Sequence, residues 1–231
     1  PPISQFFYAV SALISSEAIY GSLLFLKALL FSADLLFYKL ALPILQQLKL
    51  ARHQVFLYLL NPLLIVEGIG NLHLEPLMAA FLLTAIFFWL KQKKLLTGIF
   101  MGLAIATKLL PLLLLPFFAK GKKKFQFRAF VKKDFLWISS VALIVAAIVF
   151  IPFINPSMAN DYVETISLWF NTFEFNGSIY YLFRWIGFQI TGWNMIAYFG
   201  KALTAISLIV LIFLALRSTA SRKMQLHSMF L

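Results

Sequence analysis

The sequence predicts an all-α, polytopic membrane protein: a helix bundle with about five spanning helices and a re-entrant or broken helical segment near 95–119. Three observations predict this class. Hydrophobic residues make up 62% of the 231 and charged ones only 12%, whereas a soluble domain is nearer half apolar and a quarter charged. The apolar residues fall in long runs separated by short polar stretches, and about 20 mostly apolar residues suffice to cross the hydrocarbon core. Backbone groups in lipid must be paired within their own segment or in a closed barrel. These runs are too long and too uniformly apolar for barrel strands, so they read as helices.

The runs follow in order. The first, 22–42, is interrupted by Lys27, Asp34 and Lys39; the second, 55–66, is short unless its polar flanks count. The third is 76–90, and the fourth, 95–119, is broken by Lys108, Pro111 and Pro116. The fifth is 135–153 and the sixth 195–216. A polar and aromatic stretch, 155–194, separates the last two and reads as an external loop. Neither a soluble domain nor an internal repeat interrupts the pattern, so 1–231 reads as a single transmembrane domain. The opening Pro1-Pro2-Ile3-Ser4-Gln5 has no initiator Met, basic segment or cleavage site, and 225–231 shows no closing element. The chain therefore reads as part of a longer protein.

The net charge of +12 does not point to nucleic acid, because the basic residues sit in connectors between apolar runs. Lys and Arg accumulate in the cytoplasmic loops of membrane proteins. The clusters are Lys49/Arg52, Lys91/Lys93/Lys94, the seven of 120–133, and Arg217/Arg222/Lys223. Glu17, Glu67, Glu75, Asp161, Glu164 and Glu174 lie elsewhere. Strict alternation of six spans would put the second and third basic clusters on opposite sides. If 95–119 instead enters and leaves on one side, bent near Lys108 and Pro111, all four clusters are cytoplasmic. Pro111 removes a backbone donor and favours such a break. A plain span with 120–133 outside is the alternative. With no Cys, disulfides and thiolate metal sites are excluded.

Candidate chemistry concentrates in three places. Between Asn61-Pro62 and Pro76, four polar residues (Glu67, Asn71, His73 and Glu75) crowd into a stretch that Gly68, Gly70 and Pro76 would shape into a tight external hairpin. Ionisable residues at membrane depth are costly and mark a pathway or a site. An imidazole flanked by carboxylates suits sugar hydroxyls, a phosphate, or a share in holding a divalent ion; a solvated connector is the plain alternative. Lys108 stands alone in an apolar run, placed either to neutralise a lipid phosphate or to pair internally with Asp34 or Glu67. In 155–194, Asn155, Asn160, Asp161, Glu164, Trp169, Asn171, Glu174, Asn176, Tyr180, Tyr181, Arg184 and Trp185 mix aromatic faces with hydrogen-bonding groups. That mixture suits sugar rings, and Arg184 has a fork of donors for phosphate; an interfacial aromatic belt is the competing account. Phosphate-loop, nucleophile-elbow, zincin and dinucleotide motifs are absent.

Three segments resemble the polytopic GT-C-fold glycosyltransferases that use polyprenyl-phosphate sugars. Pro1-Pro2-Ile3-Ser4-Gln5 is similar to the "PP-x-x-Q" stretch closing that family's first external loop. Asn61-Pro62 through Asn71-Leu72-His73-Leu74-Glu75 resembles the "NP…E…GH-x-D" hairpin of its bacterial mannosyltransferase-like branch. Gly102-Leu103-Ala104 through Lys108, Pro111 and Pro116 resembles the "GLA…K-x-x-P…P" run that follows. Glu75 stands where Asp is usual, and Asn71 where the family has Gly ahead of the His. The resemblance covers residues 1–120 and continues weakly through Phe175-Asn176-Gly177-Ser178.

It implies a multi-pass protein of the bacterial inner (plasma) membrane and inverting transfer of a mannosyl or other hexosyl group at the outer face. The donor would be a polyprenyl-phosphate-linked sugar and the acceptor a lipid or glycan; no cofactor is fixed by the pattern, and a divalent metal is the one candidate. Glu67, Asn71, His73, Glu75, Lys108, Asn176 and Arg184 would bind substrate. The catalytic base would be a carboxylate of the first external loop, upstream of Pro1, so the 231 residues alone are expected to be inactive. A lipid or solute transporter, with polar groups at depth beside a broken helix, is the rival reading.

Overall fold

The structure, a computed structural model, describes residues 1–15, 19–119, 127–154, 156, 158–171, 178–218 and 226, and every regular element among them is helical. Two units form, Pro1–Phe153 with Leu216–Leu231, and Ile154–Ala215. The first holds α1 (Pro2–Ser15), α2 (Ile19–Leu48), α3 (Phe56–Leu59), α4 (Glu75–Leu90), α5 (Lys94–Thr107) and α6 (Lys133–Phe150). The second holds α7 (Met158–Asn171), α8 (Ser178–Thr191) and nearly all of α9 (Ile196–Ser218). Helix α1 is an element that the run pattern did not single out.

Proline and charge set the boundaries in the first unit. Helix α4 starts with Pro76 in its first turn, where a missing N–H leaves no helical bond unmade. It stops at Lys91, and Gln92 takes a left-handed φ of 62° to reverse the chain into α5. A proline ring collides with the carbonyl four residues earlier. Helix α5 ends at Thr107, four residues before Pro111, and Lys108 is extended at φ −157°, ψ 140°. The chain continues as a 3-10 helix, Leu110–Phe118.

The direction of that return follows from three contacts. Lys94 pairs with Asp134, a Cβ on Gly98 would lie 3.0 Å from the Ile138 carbonyl oxygen, and one on Gly102 would lie 2.6 Å from that of Ala142. Both numbers rise together, so α5 and α6 are parallel. The stretch between them must therefore retrace the length of α5. Lys108 meets Glu75, at the start of α4, and the Phe118 ring lies edge-on to Trp89, near its end, with centroids 5.5 Å apart. Residues 95–119 leave one end of the unit and come back to it, as the broken segment predicted.

Helices α2 and α4 are parallel too: Leu30 and Ala33 pack with Leu77 and Ala80 at one end, and Ile44 joins Ile86 and Trp89 towards the other. Lys49, Arg52, Lys91, Lys93, Lys94, Lys132 and Lys133 thus gather at one end of the unit, and Glu67 and Glu75 at the opposite end. Of the remaining charges used to orient the chain, Glu17, Lys120, Lys122, Lys123, Lys124, Glu174, Arg222 and Lys223 lie outside the described residues. Single cysteines at Gln92 and Lys132 are expected to respond alike to an impermeant thiol reagent in intact cells, and one at Asn71 oppositely. Labelling at 92 without 132 would contradict the out-and-back path.

Among the described residues, three helices are long and apolar enough to cross a membrane: Ile19–Leu48, Lys133–Phe153 and Tyr198–Arg217. Only 22%, 17% and 11% of their most apolar windows are buried, so lipid is the solvent that fits their surfaces. A fourth crossing arises if Arg52–Leu59 and Leu64–Gly70, bent by 61°, form one broken span. The third and fourth apolar runs fold into shorter helices, about 24 Å for α4 and 21 Å for α5. The turn at Lys91 cuts α4 short and the second run is bent, which is why the long spans among the described residues are fewer than the about five read from run lengths.

In the second unit, the stretch read as a loop contains two helices, α7 and α8. Helix α8 turns at Gly192 (φ 75°) into α9, held by the Tyr180 hydroxyl donating to Asn194 Oδ1 at 3.0 Å and by Phe183 against Phe199.

Candidate functional site

At the acidic end of the first unit, Asn61 Oδ1 accepts from the Leu63 N–H at 3.0 Å and starts a new helical stretch after the break. That stretch widens into a π-helix, Leu64–Gly70, a form that often accompanies functional sites. It closes with the Asn71 N–H donating to the Val66 carbonyl at 2.8 Å, and the His73 N–H donates to the Glu67 carbonyl at 3.1 Å. Leu72 takes φ 58° to turn the chain towards α4. Gly68 is buried, and a Cβ there would lie 2.8 Å from Pro76 Cγ, so only glycine lets the π-helix lie against the start of α4. The Tyr8 hydroxyl, on α1, donates to the Leu72 carbonyl at 3.4 Å.

This backbone brings five of the predicted residues together. Asn71 Nδ2 donates to Glu67 Oε2 at 3.1 Å. His73 lies between the two acids, with Nε2 3.9 Å from Glu67 Oε2 and Nδ1 3.7 Å from Glu75 Oε2. Both distances exceed hydrogen-bond length, so the imidazole can still bond a ligand. Lys108 Nζ donates to Glu75 Oε1 at 2.5 Å. Partial burial opposes the charge of Glu75, at the polar mouth of α4; the Lys108 hydrogen bond and charge outweigh it and hold the carboxyl below its ordinary range. Two carboxylates face one ammonium, and all these side chains are at least a third exposed. The cluster is therefore an open, polar surface, able to bond hydroxyl groups through its acids and an anion through Lys108.

The partner of Lys108 is Glu75; neither Asp34 nor Glu67, the two internal partners weighed from the sequence, takes that place. Asp34 Oδ1 and the Tyr58 hydroxyl are instead buried without a hydrogen-bond partner among the described residues. No group of three His, Cys, Asp or Glu side chains among those residues is arranged to hold a metal ion.

Residues 1–121 match the family described as alpha-(1->6)-mannopyranosyltransferase, N-terminal domain. The chain belongs to that family. This mannosyltransferase family is one of glycosyltransferases, so glycosyl transfer is the chemistry to which the chain belongs, and the transporter alternative gains no support. The matched region takes in α1 to α5, the 3-10 return and the whole Glu67–Lys108 cluster. No curated protein and no solved structure matches the chain.

Two further predicted residues stand outside the matched region. Arg184 is on α8 in the second unit, with its guanidinium 6.0 Å from the Tyr181 ring centroid and 5.6 Å from that of Phe188. Asn176 lies outside the described residues, as do Asn155 and Glu174. Sequence reading missed Tyr8 as a support of the hairpin; its place just after the Pro1-Pro2-Ile3-Ser4-Gln5 stretch was the available signal.

Proposed function

We propose that this protein transfers a mannosyl or related hexosyl group from a polyprenyl-phosphate sugar to a hydroxyl of a lipid or glycan acceptor. The reaction takes place at the outer face of the bacterial inner membrane, on a GT-C-type bundle. The observation that carries this reading is that Glu67, Asn71, His73, Glu75 and Lys108 gather at the end opposite the basic clusters, inside the family match. Basic connectors favour the cytoplasm, which puts this cluster outside.

In the proposed reaction the acceptor oxygen loses its proton to a carboxylate and bonds to the anomeric carbon. The bond from that carbon to the phosphate oxygen breaks, and polyprenyl phosphate leaves with the electron pair. Inversion that yields the alpha-(1->6) linkage named by the family requires a beta-linked sugar phosphate. Glu67, Asn71, His73 and Glu75 hold sugar and acceptor hydroxyls, and Lys108 neutralises the departing phosphate. A half-exposed ion pair is worth only about 0–1 kcal/mol, so Lys108 can exchange Glu75 for a phosphate at small cost. The resemblance assigns the base to the external loop ahead of Pro1.

The test is to supply polyprenyl-phosphate mannose to membranes holding either these 231 residues or a chain extended upstream. General-base catalysis contributes about 10²–10⁴-fold, so turnover is expected only from the extended chain and is lost when its upstream acid is changed. Turnover by the 231 residues alone would move the base to Glu67, Glu75 or Asp161. Movement of a lipid or solute with no transfer by either chain would overturn the assignment.

A further inference from the structure

The basic end of the first unit carries a feature that sugar transfer does not use. Helices α2 and α4 run parallel there and leave a groove of about 220 Å³, lined by Pro43, Ile44, Gln47, Phe87, Leu90 and Lys91. Pro43 sits within α2 and has no N–H to complete the ladder, and its exposed ring forms one lip of the groove. The walls are apolar, while the polar groups are Gln47, in the last turn of α2, and Lys91, just past the end of α4.

The neighbouring lysines are differently engaged. Lys94 pairs with Asp134, the one acid at this end among the unit's described residues, and the Lys93 ammonium lies 5.9 Å from the centroid of the Phe88 ring. The Lys91 ammonium lies 5.7 Å from the centroid of Phe87, itself a groove wall, so its charge stands at the mouth of an apolar slot. A second groove at this end repeats the combination, with Lys133 beside Leu136 and Trp137. Basic pockets between membrane helices suit anionic lipid headgroups, and the apolar wall below suits an acyl chain.

We propose that the α2–α4 groove binds an anionic glycerophospholipid, with its phosphate on Lys91 and Gln47 and one acyl chain along Ile44, Phe87 and Leu90. The occupant is a glycerophospholipid because the groove is at the end opposite the Glu67–Lys108 cluster, away from the proposed sugar donor. The choice of a glycerophospholipid over the carrier lipid rests on the sugar-transfer reading, whereas lipid retention is read without turnover.

The experiment is native mass spectrometry of the chain released from nanodiscs of equal phosphatidylglycerol and phosphatidylcholine. Preferential retention of phosphatidylglycerol is expected. Lys91→Gln should lower that retention about five-fold, since one lysine near a membrane surface is worth about 1 kcal/mol towards an anionic lipid. Lys93→Gln should leave it unchanged. Leu90→Trp, which fills the groove and spares Lys91, should lower it as well and guards against a misfolded Lys91 variant. Equal losses in the Lys91 and Lys93 variants would mean general surface attraction and overturn the site. Equal retention of both lipids would do the same. One-for-one displacement by polyprenyl phosphate would assign the groove to the carrier lipid and overturn the glycerophospholipid.

Discussion

Replacing Lys108 with Met is expected to weaken binding of the proposed polyprenyl-phosphate donor by roughly 10- to 150-fold. That is the range for losing one hydrogen bond to a charged group, about 1.5–3 kcal/mol. Lys108→Arg should keep part of the affinity, because the charge remains while the reach and donor geometry change. The ion pair with Glu75 supplies the control. If Lys108 acted only by neutralising Glu75, then Glu75→Gln would remove the need for it, and Lys108→Met would be harmless in that background. If Lys108 meets the phosphate, the loss persists there. Titrating donor lipid against the four members of this cycle separates the cases, and unchanged affinity in the Met variant would leave Lys108 a purely structural role.

The second large effect is expected at Gly102, where α5 meets α6. A Cβ there would lie 2.6 Å from the Ala142 carbonyl oxygen and 2.7 Å from Val145 Cβ, and one on Gly98 would lie 2.6 Å from Val141 Cβ. The four-residue spacing puts both glycines on one face of α5, the small-residue arrangement that lets membrane helices approach closely. Backbone cannot move aside as a flexible side chain can, so Gly102→Leu must part the two helices. Overpacking of this kind costs about 1–3 kcal/mol, and more where backbone blocks the space. The Lys94–Asp134 pair and the Lys108–Glu75 pair anchor the two ends of α5, so both should loosen with it. The expected outcome is a clear fall in the thermal midpoint of the detergent-solubilised protein and loss of the folded monomer peak. Gly70→Ala is the comparison, since its nearest neighbour is an ordinary 3.5 Å away. A Gly102→Leu protein as stable as the Gly70→Ala one would show that α5 and α6 are not in close contact.

Much of the fold was legible because the features that make it are local. A proline ends a helix through the carbonyl four residues before it, so the break after Thr107 follows from Pro111 alone. Composition and run length determined the helical membrane class. The shared end for Lys91 and Lys133 was legible from charge, because lysines avoid the external side. The hairpin was legible for the same kind of reason: Glu67, Asn71, His73 and Glu75 lie within nine residues, and Gly68 and Pro76 leave the chain few ways to turn.

Only the tertiary structure decided which charge meets Lys108, how α5 seats on α6, and that 155–194 contains helices α7 and α8 rather than an irregular loop. The Glu75–Lys108 contact spans 33 residues and the Lys94–Asp134 contact 40. Asp34 and Glu67 were equally acceptable partners for Lys108 by chemistry, and no local rule ranks them. The choice depends on where the π-helix, the start of α4 and the end of α5 arrive together in space. That arrival is set by how closely the glycine faces let neighbouring backbones approach, a property of paired helices that neither sequence segment contains alone.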